Sequence, residues 1–400
     1  MRTLKKYTFL FIICLLVLCI SSCKKNVQQK YERKTDAELI KYTNQNVEEL
    51  SFDVAANLFS QMEVVKLETT SKSLLGQIRQ IETMGDDIFV YDWNKNLLRF
   101  SKENGAFLNR IGTVGQGPEE YYAVNGFSIN KKNKTIVVID VWKRKFIKYN
   151  FDGNYISSTE ASSEFIRDIS YSMHAPDNSI LINNVVHQEP FNAYTSVNME
   201  SNQYENFFSY KEFGKRDCIL DFSTHPMASF EDGINFIMPV ENVIYEYKNG
   251  KIQTKYEIEI PVKMINKQSV VEHEMLLIVA PDLIAAYSNV FPGFKTIFQT
   301  KEKMILTFSG KGAYKCFIVI DKKTNEGTYY NYSTIPDCEI PCFEIFSCSD
   351  DYFVSCINTE NIAQWKSELQ KNKYDVKNDK LKDLILNAKF DDNPSLVFYK

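Results

Sequence analysis

The chain is short of the residues that mark the commonest metal and nucleotide sites. Among 400 residues there are only 4 His and 3 Trp, with 15 Gly and 11 Pro. His174, His187, His225 and His273 are scattered, and Glu272-His273-Glu274 is not the two-histidine helix motif of a metalloprotease. Low Gly and Pro with 44% hydrophobic residues exclude a collagen-like or disordered chain. Charge of one sign is also missing: 47 basic against 51 acidic residues leave −4, so no bulk field draws the chain to nucleic acid. No long apolar run follows residue 20, so nothing later reads as a membrane helix. A serine nucleophile elbow is absent, as is a Cys-His arrangement arguable from spacing. What is plentiful is Phe and Tyr, 28 and 23 residues. These suit half-buried pleated surfaces, and the reading leans to strands.

The amino terminus places Arg2, Lys5 and Lys6 before an apolar stretch from Tyr7 to Ile20, then small residues and Cys23. That order is a secretory signal, and the stretch is shorter than the roughly 20 apolar residues a spanning helix needs. Ile20-Ser21-Ser22-Cys23 resembles the lipobox of bacterial lipoproteins, which implies cleavage before Cys23 and acylation of that residue. Residues 1–22 are therefore expected to be a signal and 23–50, polar and mixed in charge, a solvated tether. Some exported surface lipoproteins carry acidic residues after the cysteine. Lys24 and Lys25 stand here, and by that likeness the protein is expected on the outer membrane facing the periplasm.

From residue 51 onward short strands alternate with turn signals. The stretches DDIFVYDWNKNLLRFSKENGAFL and KTIVVIDVWKRKFIKYNFDGNYI share one layout, with Asp92 and Asp140 48 residues apart and Gly105 and Gly153 likewise. Ser201 and Gly250 continue the period, and Asp321 with Gly327 suggest a later copy. Asn-Gly and Asp-Gly between apolar runs are strong hairpin signals, because the favoured turn needs positive φ. A unit of this length with four strands matches a propeller blade. Two stretches read as helical excursions: Met264 to about Tyr287, and one near the end where Leu381, Leu384, Ile385 and Ala388 form an apolar stripe. The expectation is an all-β, six-bladed β-propeller over 51–400 with short helical excursions near the middle and C-terminus. Its last strand, Leu396 to Tyr399, is expected to pair near EVVKLETT, since an unpaired edge is a liability.

KLETTSKSLLGQIRQI, IGTVGQGPEEYYAVNGFSI, IDVWKRKFIKYNFDGNYI and DDNPSLVFYK resemble a family of six-bladed β-propeller lipoproteins related to NHL-repeat propellers. The likeness runs from about Glu63 to the end. Glu119 stands where that family commonly has a small residue. The resemblance implies fold and envelope location, and no shared activity.

Candidate chemistry is sparse. Gly112-Thr-Val-Gly115-Gln-Gly117-Pro118 lacks the Lys and Ser or Thr of a P-loop, and the acids that follow would repel phosphate. It reads as a loop between blades, with Glu119, Glu120 and Tyr121 placed as loop-face contacts for a cationic or sugar ligand. Cys218, Cys316, Cys338, Cys342, Cys348 and Cys356 lack zinc-site spacing and read as buried thiols or one disulfide. Acid pairs at Asp86, Asp350 and Asp391 fall at turns and fit no calcium loop. No cofactor, metal or nucleic acid is expected. The leading reading is a lipid-anchored binding or scaffold module for a protein or carbohydrate ligand. Its alternative is a propeller lyase or hydrolase acting on a sugar or peptide at the central channel.

Overall fold

A computed structural model describes residues 37–42, 48–49, 61–161, 169–184, 192–209, 225–238, 240–260, 262–265, 290–310, 315–332, 345–371 and 379–400. In chain order come β1 (Glu38–Tyr42), β2 (Glu48–Glu49) and β3 (Met62–Lys66), followed by a series of antiparallel meanders. The first two are β4 (Ile78–Met84), β5 (Asp87–Asp92), β6 (Leu97–Ser101) and β7 (Phe107–Arg110), then β8 (Gly126–Asn130), β9 (Thr135–Asp140), β10 (Lys145–Asn150) and β11 (Tyr155–Glu160). The third is β12 (Ile169–His174), β13 (Ser179–Asn184), β14 (Asn192–Asn198) and β15 (Tyr204–Ser209). Next come β16 (Met227–Phe230), β17 (Gly233–Ile237), β18 (Val243–Lys248) and β19 (Lys251–Ile258), then β20 (Thr296–Gln299), β21 (Lys303–Ser309), β22 (Lys315–Asp321) and β23 (Glu326–Tyr332). The chain closes with β24 (Ile345–Cys348), β25 (Phe353–Ile357), α1 (Thr359–Gln370), α2 (Asp379–Asn387) and β26 (Ser395–Tyr399).

The arrangement is all-β and propeller-like. First strands touch in succession, β8 with β12, β12 with β16, β16 with β20, β20 with β24 and β24 with β4. Gln80 of β4 donates to the Phe127 carbonyl of β8 at 3.1 Å and completes the ring. Apolar side chains gather between successive meanders. One cluster joins Ile81, Val90 and Leu98 to Val354, Leu396 and Phe398, and another joins Phe89 and Leu97 to Phe127 and Val138. Strands buried on both faces explain why β5, β9 and β17 read as nearly continuous apolar runs.

Six separate blades are not what the pairing gives. Four four-stranded sheets stand alone, while β16–β19 and β20–β23 belong to one ten-stranded sheet. The reason is β1, which lies in the segment expected to be tether. It pairs parallel with β19 (Glu38↔Tyr256) on one side and with β23 (Lys41↔Glu326) on the other, and β2 extends the contact with β23. Ile40, 1% exposed, seats β1 in the core beneath it. The strand thus covers two outer edges that would otherwise present unpaired backbone.

The repeat signal is a turn signal. Gly105 (φ 73°), Gly153 (φ 84°), Asn202 (φ 53°), Gly250 (φ 72°) and Asn325 (φ 57°) all sit in third-to-fourth strand turns. Spacing is near 48 until Gly250; Asn325 then lies 75 residues on, because the chain makes an excursion after β19. The helix expected over Met264 to Tyr287 lies, but for its first residues, outside the described residues. Asp321, which the repeat pattern sets beside Asp92 and Asp140, ends a third strand and is exposed, whereas those two end second strands and are fully buried.

At the carboxyl end β26 pairs antiparallel with β3 (Leu396↔Val65, Phe398↔Glu63), inside the segment named from the sequence. The expected apolar stripe forms α2, with Leu381, Leu384 and Ile385 buried against the last sheet. Among the described residues no helix is long and apolar enough to cross a membrane.

Candidate functional site

The glycine loop singled out from the sequence is a joint between two sheets. Gly115 N donates to Tyr121 O (2.9 Å) and Tyr121 N to Thr113 O (3.0 Å). Lys143 Nζ donates to the carbonyls of Gly117 and Glu120, both at 2.8 Å, and the Tyr149 hydroxyl donates to Glu119 O at 2.8 Å. A side chain at Gly112 would meet the Tyr149 ring at 2.6 Å, and one at Gly115 would strike the Glu120 carboxylate, so the glycines make room for packing. Glu120 folds inward, its Oε2 accepting from Gly117 N at 2.8 Å. Tyr121 is fully buried and its hydroxyl donates to Lys95 O, which corrects its expected place on the loop face. Burial lifts its phenol to about 12. Of the three residues named from the sequence, Glu119 alone is exposed. Cys23, the expected acylation site, lies outside the described residues.

Polar groups converge instead at the ring's centre. Glu82 and Gln80 come from β4, Tyr171 from β12, and His225 precedes β16. The Tyr171 hydroxyl lies 2.5 Å from Glu82 Oε1 and 2.9 Å from His225 Nε2. His225 Nδ1 is 3.1 Å from Ile297 O of β20, and Gln80 Nε2 donates to Glu82 Oε1 at 3.0 Å. The Phe298 ring packs on the imidazole with centroids 4.4 Å apart. Contacts among side chains of non-adjacent sheets require that all point toward the axis.

Proton counting fixes how this chain is wired. A phenol has one proton, so Tyr171 donates to one neighbour and accepts from the other. Tyr171 donates to Glu82 Oε1, which leaves its oxygen facing His225 Nε2. Burial raises Glu82 from its ordinary value and pushes His225 down to about 4, so charging either group at the axis is disfavoured. Three proton-carrying side chains in line offer acid–base chemistry along a relay. Cys348, at the end of β24, accepts from Gln299 N at 3.3 Å, and burial lifts its thiol to about 12.

One end of the axis opens on a cleft of about 650 Å³. Its walls are the first-to-second strand turns of three meanders, carrying Asp86, Lys301 and Asp350, with Lys131 from a fourth. Lys301 and Asp351 pair at 3.0 Å and are both mostly exposed, so water screens the contact and it adds little to stability. Lys131 ties cleft to axis: it lines the cleft, and its charge also acts on Glu82 and Cys348.

His174 lies off this network, with Nε2 3.1 Å from Asn130 Nδ2 and Nδ1 3.0 Å from Ala175 O. His187, His273, Cys218, Cys338 and Cys342 lie outside the described residues, while Cys316 and Cys356 are buried in the core. Among the described residues no group of three or more His, Cys, Asp or Glu is placed to hold a metal ion. Sequence reasoning named His225 without locating it and missed Glu82 and Tyr171. Glu82 carried no distinguishing signal, since Arg79, Gln80 and Thr83 are also polar in the same seven-residue strand.

Fold and centre together define a propeller-like all-β protein whose polar residues meet on the ring axis. The chain belongs to the family "Domain of unknown function (DUF4934)", whose model matches residues 39–400. The match does not extend to the NHL-related resemblance suggested by the motifs. A protein of Bacteroides fragilis NCTC 9343 named "Putative exported protein" is similar in structure, with TM-score 0.70 and 18% identity over 90% of this chain and 99% of that one. A DUF4221 family member from Bacteroides vulgatus ATCC 8482 is similar at TM-score 0.52 and 13% identity, over 85% of this chain and 96% of that one. These likenesses concern the fold alone. No curated protein matches the sequence.

Proposed function

We propose that the protein is a lipid-anchored cell-envelope binding module that takes a small polar ligand in the cleft at the end of the ring axis. The observation that carries this reading is the cleft itself, about 650 Å³ in volume and lined by both lysines and aspartates on rigid hairpins. Such a lining suits a ligand with donors and acceptors on all sides, a short peptide or an oligosaccharide, better than an apolar one. The name of the Bacteroides fragilis neighbour supports an exported location, and the lipobox-like Cys23 supports an anchor at the outer membrane.

The test is titration calorimetry of the full chain against short peptides and neutral and acidic oligosaccharides. At least one class is expected to bind, and Lys131→Ala with Asp350→Ala is expected to weaken it about tenfold. Binding by no class, or binding indifferent to both changes, overturns the cleft assignment.

A second reading rests on the Glu82–Tyr171–His225 relay, which has the members of a general acid–base site. Turnover of a panel compound that is abolished by Glu82→Gln, with binding retained, would establish the lyase or hydrolase in its place.

A further inference from the structure

We propose that the turns carrying Trp93, Tyr122 and Trp142 form a second binding surface, for a polysaccharide bearing carboxylate groups. It faces away from the cleft. Trp93 lies between β5 and β6 and Trp142 between β9 and β10, so both occupy second-to-third strand turns, at the opposite strand ends from the turns that wall the cleft.

Large apolar rings normally go inside. Trp142 is 73% exposed, Trp93 59% and Tyr122 39%, whereas the remaining tryptophan, Trp365, is 6% exposed. Their exposure is built into the backbone. Asp92, fully buried, accepts from Asn96 N and Gly76 N, both at 2.7 Å, and Trp93 is the next residue. Asp140, also fully buried, accepts from Lys143 N at 3.0 Å and from Tyr122 N at 2.6 Å. One carboxylate therefore fixes the turn that carries Trp142 and the main chain that carries Tyr122. The same device in two consecutive repeats presents a ring at the same end of each.

The rings form one surface. Tyr122 and Trp142 meet edge to face with centroids 6.2 Å apart; Lys95, from the turn of Trp93, places Nζ 4.5 Å above the Tyr122 ring. Arg79 covers one side of Trp93 at 4.1 Å. Charge balance here departs from that of the whole chain. The carboxylates of Asp92 and Asp140 are occupied by backbone N–H groups, and Glu120 is folded onto Gly117. The Lys143 ammonium is engaged by two carbonyls. Arg79, Lys95 and Arg144 outnumber the exposed acids at these turns, Glu119 and Glu160, so the surface is locally positive in a chain of net charge −4. A pyranose ring has an apolar C–H face the size of one aromatic ring and a polar rim. It fits rings that stand apart among hydrophilic turn residues, and its carboxylate would meet Arg79 or Lys95. An acidic peptide would find no continuous apolar groove between the rings.

Affinity electrophoresis of the detergent-solubilised full chain in gels holding polygalacturonate, dextran or polyglutamate tests this. Polygalacturonate should retard the protein, dextran less and polyglutamate not. Trp93→Ala with Trp142→Ala should weaken the retardation about tenfold or more with an unchanged melting temperature, since both rings are exposed. Lys323→Ala, an exposed lysine between β22 and β23 in neither site, should leave it as it was. Equal retardation by polyglutamate would mean an acidic peptide or charge alone. An indifferent double variant, an equal loss on Lys323→Ala, or no retardation by polygalacturonate would each overturn the proposal.

Discussion

At the scale of single residues, the axial network makes stability depend on pH in two opposed ways. His225 is held near 4 in the fold and near 6.5 when unfolded, because burial disfavours the imidazolium. The unfolded chain therefore binds the extra proton first, and the His225 contribution, complete above pH 6.5, is lost as pH falls toward 4. At pH 4.5 the loss comes to about 2–3 kcal/mol. Glu82 is shifted the other way, again by burial, so its contribution is present at low pH and fades as pH rises through its folded value. Urea unfolding at pH 7 and pH 4.5 separates the two. His225→Gln should flatten the acid loss, and Glu82→Gln should steepen it by removing the compensating group. Parallel pH profiles for wild type and both variants would mean that the relay is not proton-linked.

Among elements, the closing strand is the most exacting. β26 lies between β25 and β3, with Phe398 1% exposed and packed on the first sheet's Ile88 and Val90 cluster. Phe398→Ala should cost about 3–5 kcal/mol, a core truncation in a single cooperative unit, read as a lower urea midpoint. Removal of Ser395–Tyr399 should go further and leave β25 and β3 with bare edges, seen as aggregation on size exclusion; a monomer with wild-type melting would contradict closure by β26. This pairing was legible in the sequence because SLVFY had no other edge to join. The 48-residue repeat was equally legible, since turn geometry demands Gly or Asn at positive φ. β1 was not. Its five residues are flanked by polar sequence, and only β19 and β23, more than 200 residues on, turn them into a strand. The relay stayed hidden for the same reason: Glu82, Tyr171 and His225 are far apart in the chain, and the ring alone brings them together. Trp93 and Trp142 stood in the repeat alignment, yet blade packing explains most of this chain's aromatics and masked the outward turn of these two rings.

On the scale of the whole molecule, the propeller-like ring has a cleft at one end of its axis and an aromatic surface at strand ends facing the other way. How these meet their partners depends on the anchor. With β1 fixed to the ring, 14 residues lie between Cys23 and Glu38, a reach of at most about 54 Å. An acylated Cys23 would hold the ring within that distance of the bilayer, near enough for envelope components and too close for free diffusion. Acyl chains bind at about 0.8 kcal/mol per buried methylene, so two or more chains hold firmly where one would exchange. Cys23→Ala should therefore move the protein from the membrane pellet to the soluble envelope fraction with its melting temperature intact, because β1 begins after the lost anchor. A variant that still pellets would refute the anchor, and protease digestion of whole cells that removes the wild-type protein would place the ring on the outer surface in place of the periplasmic one.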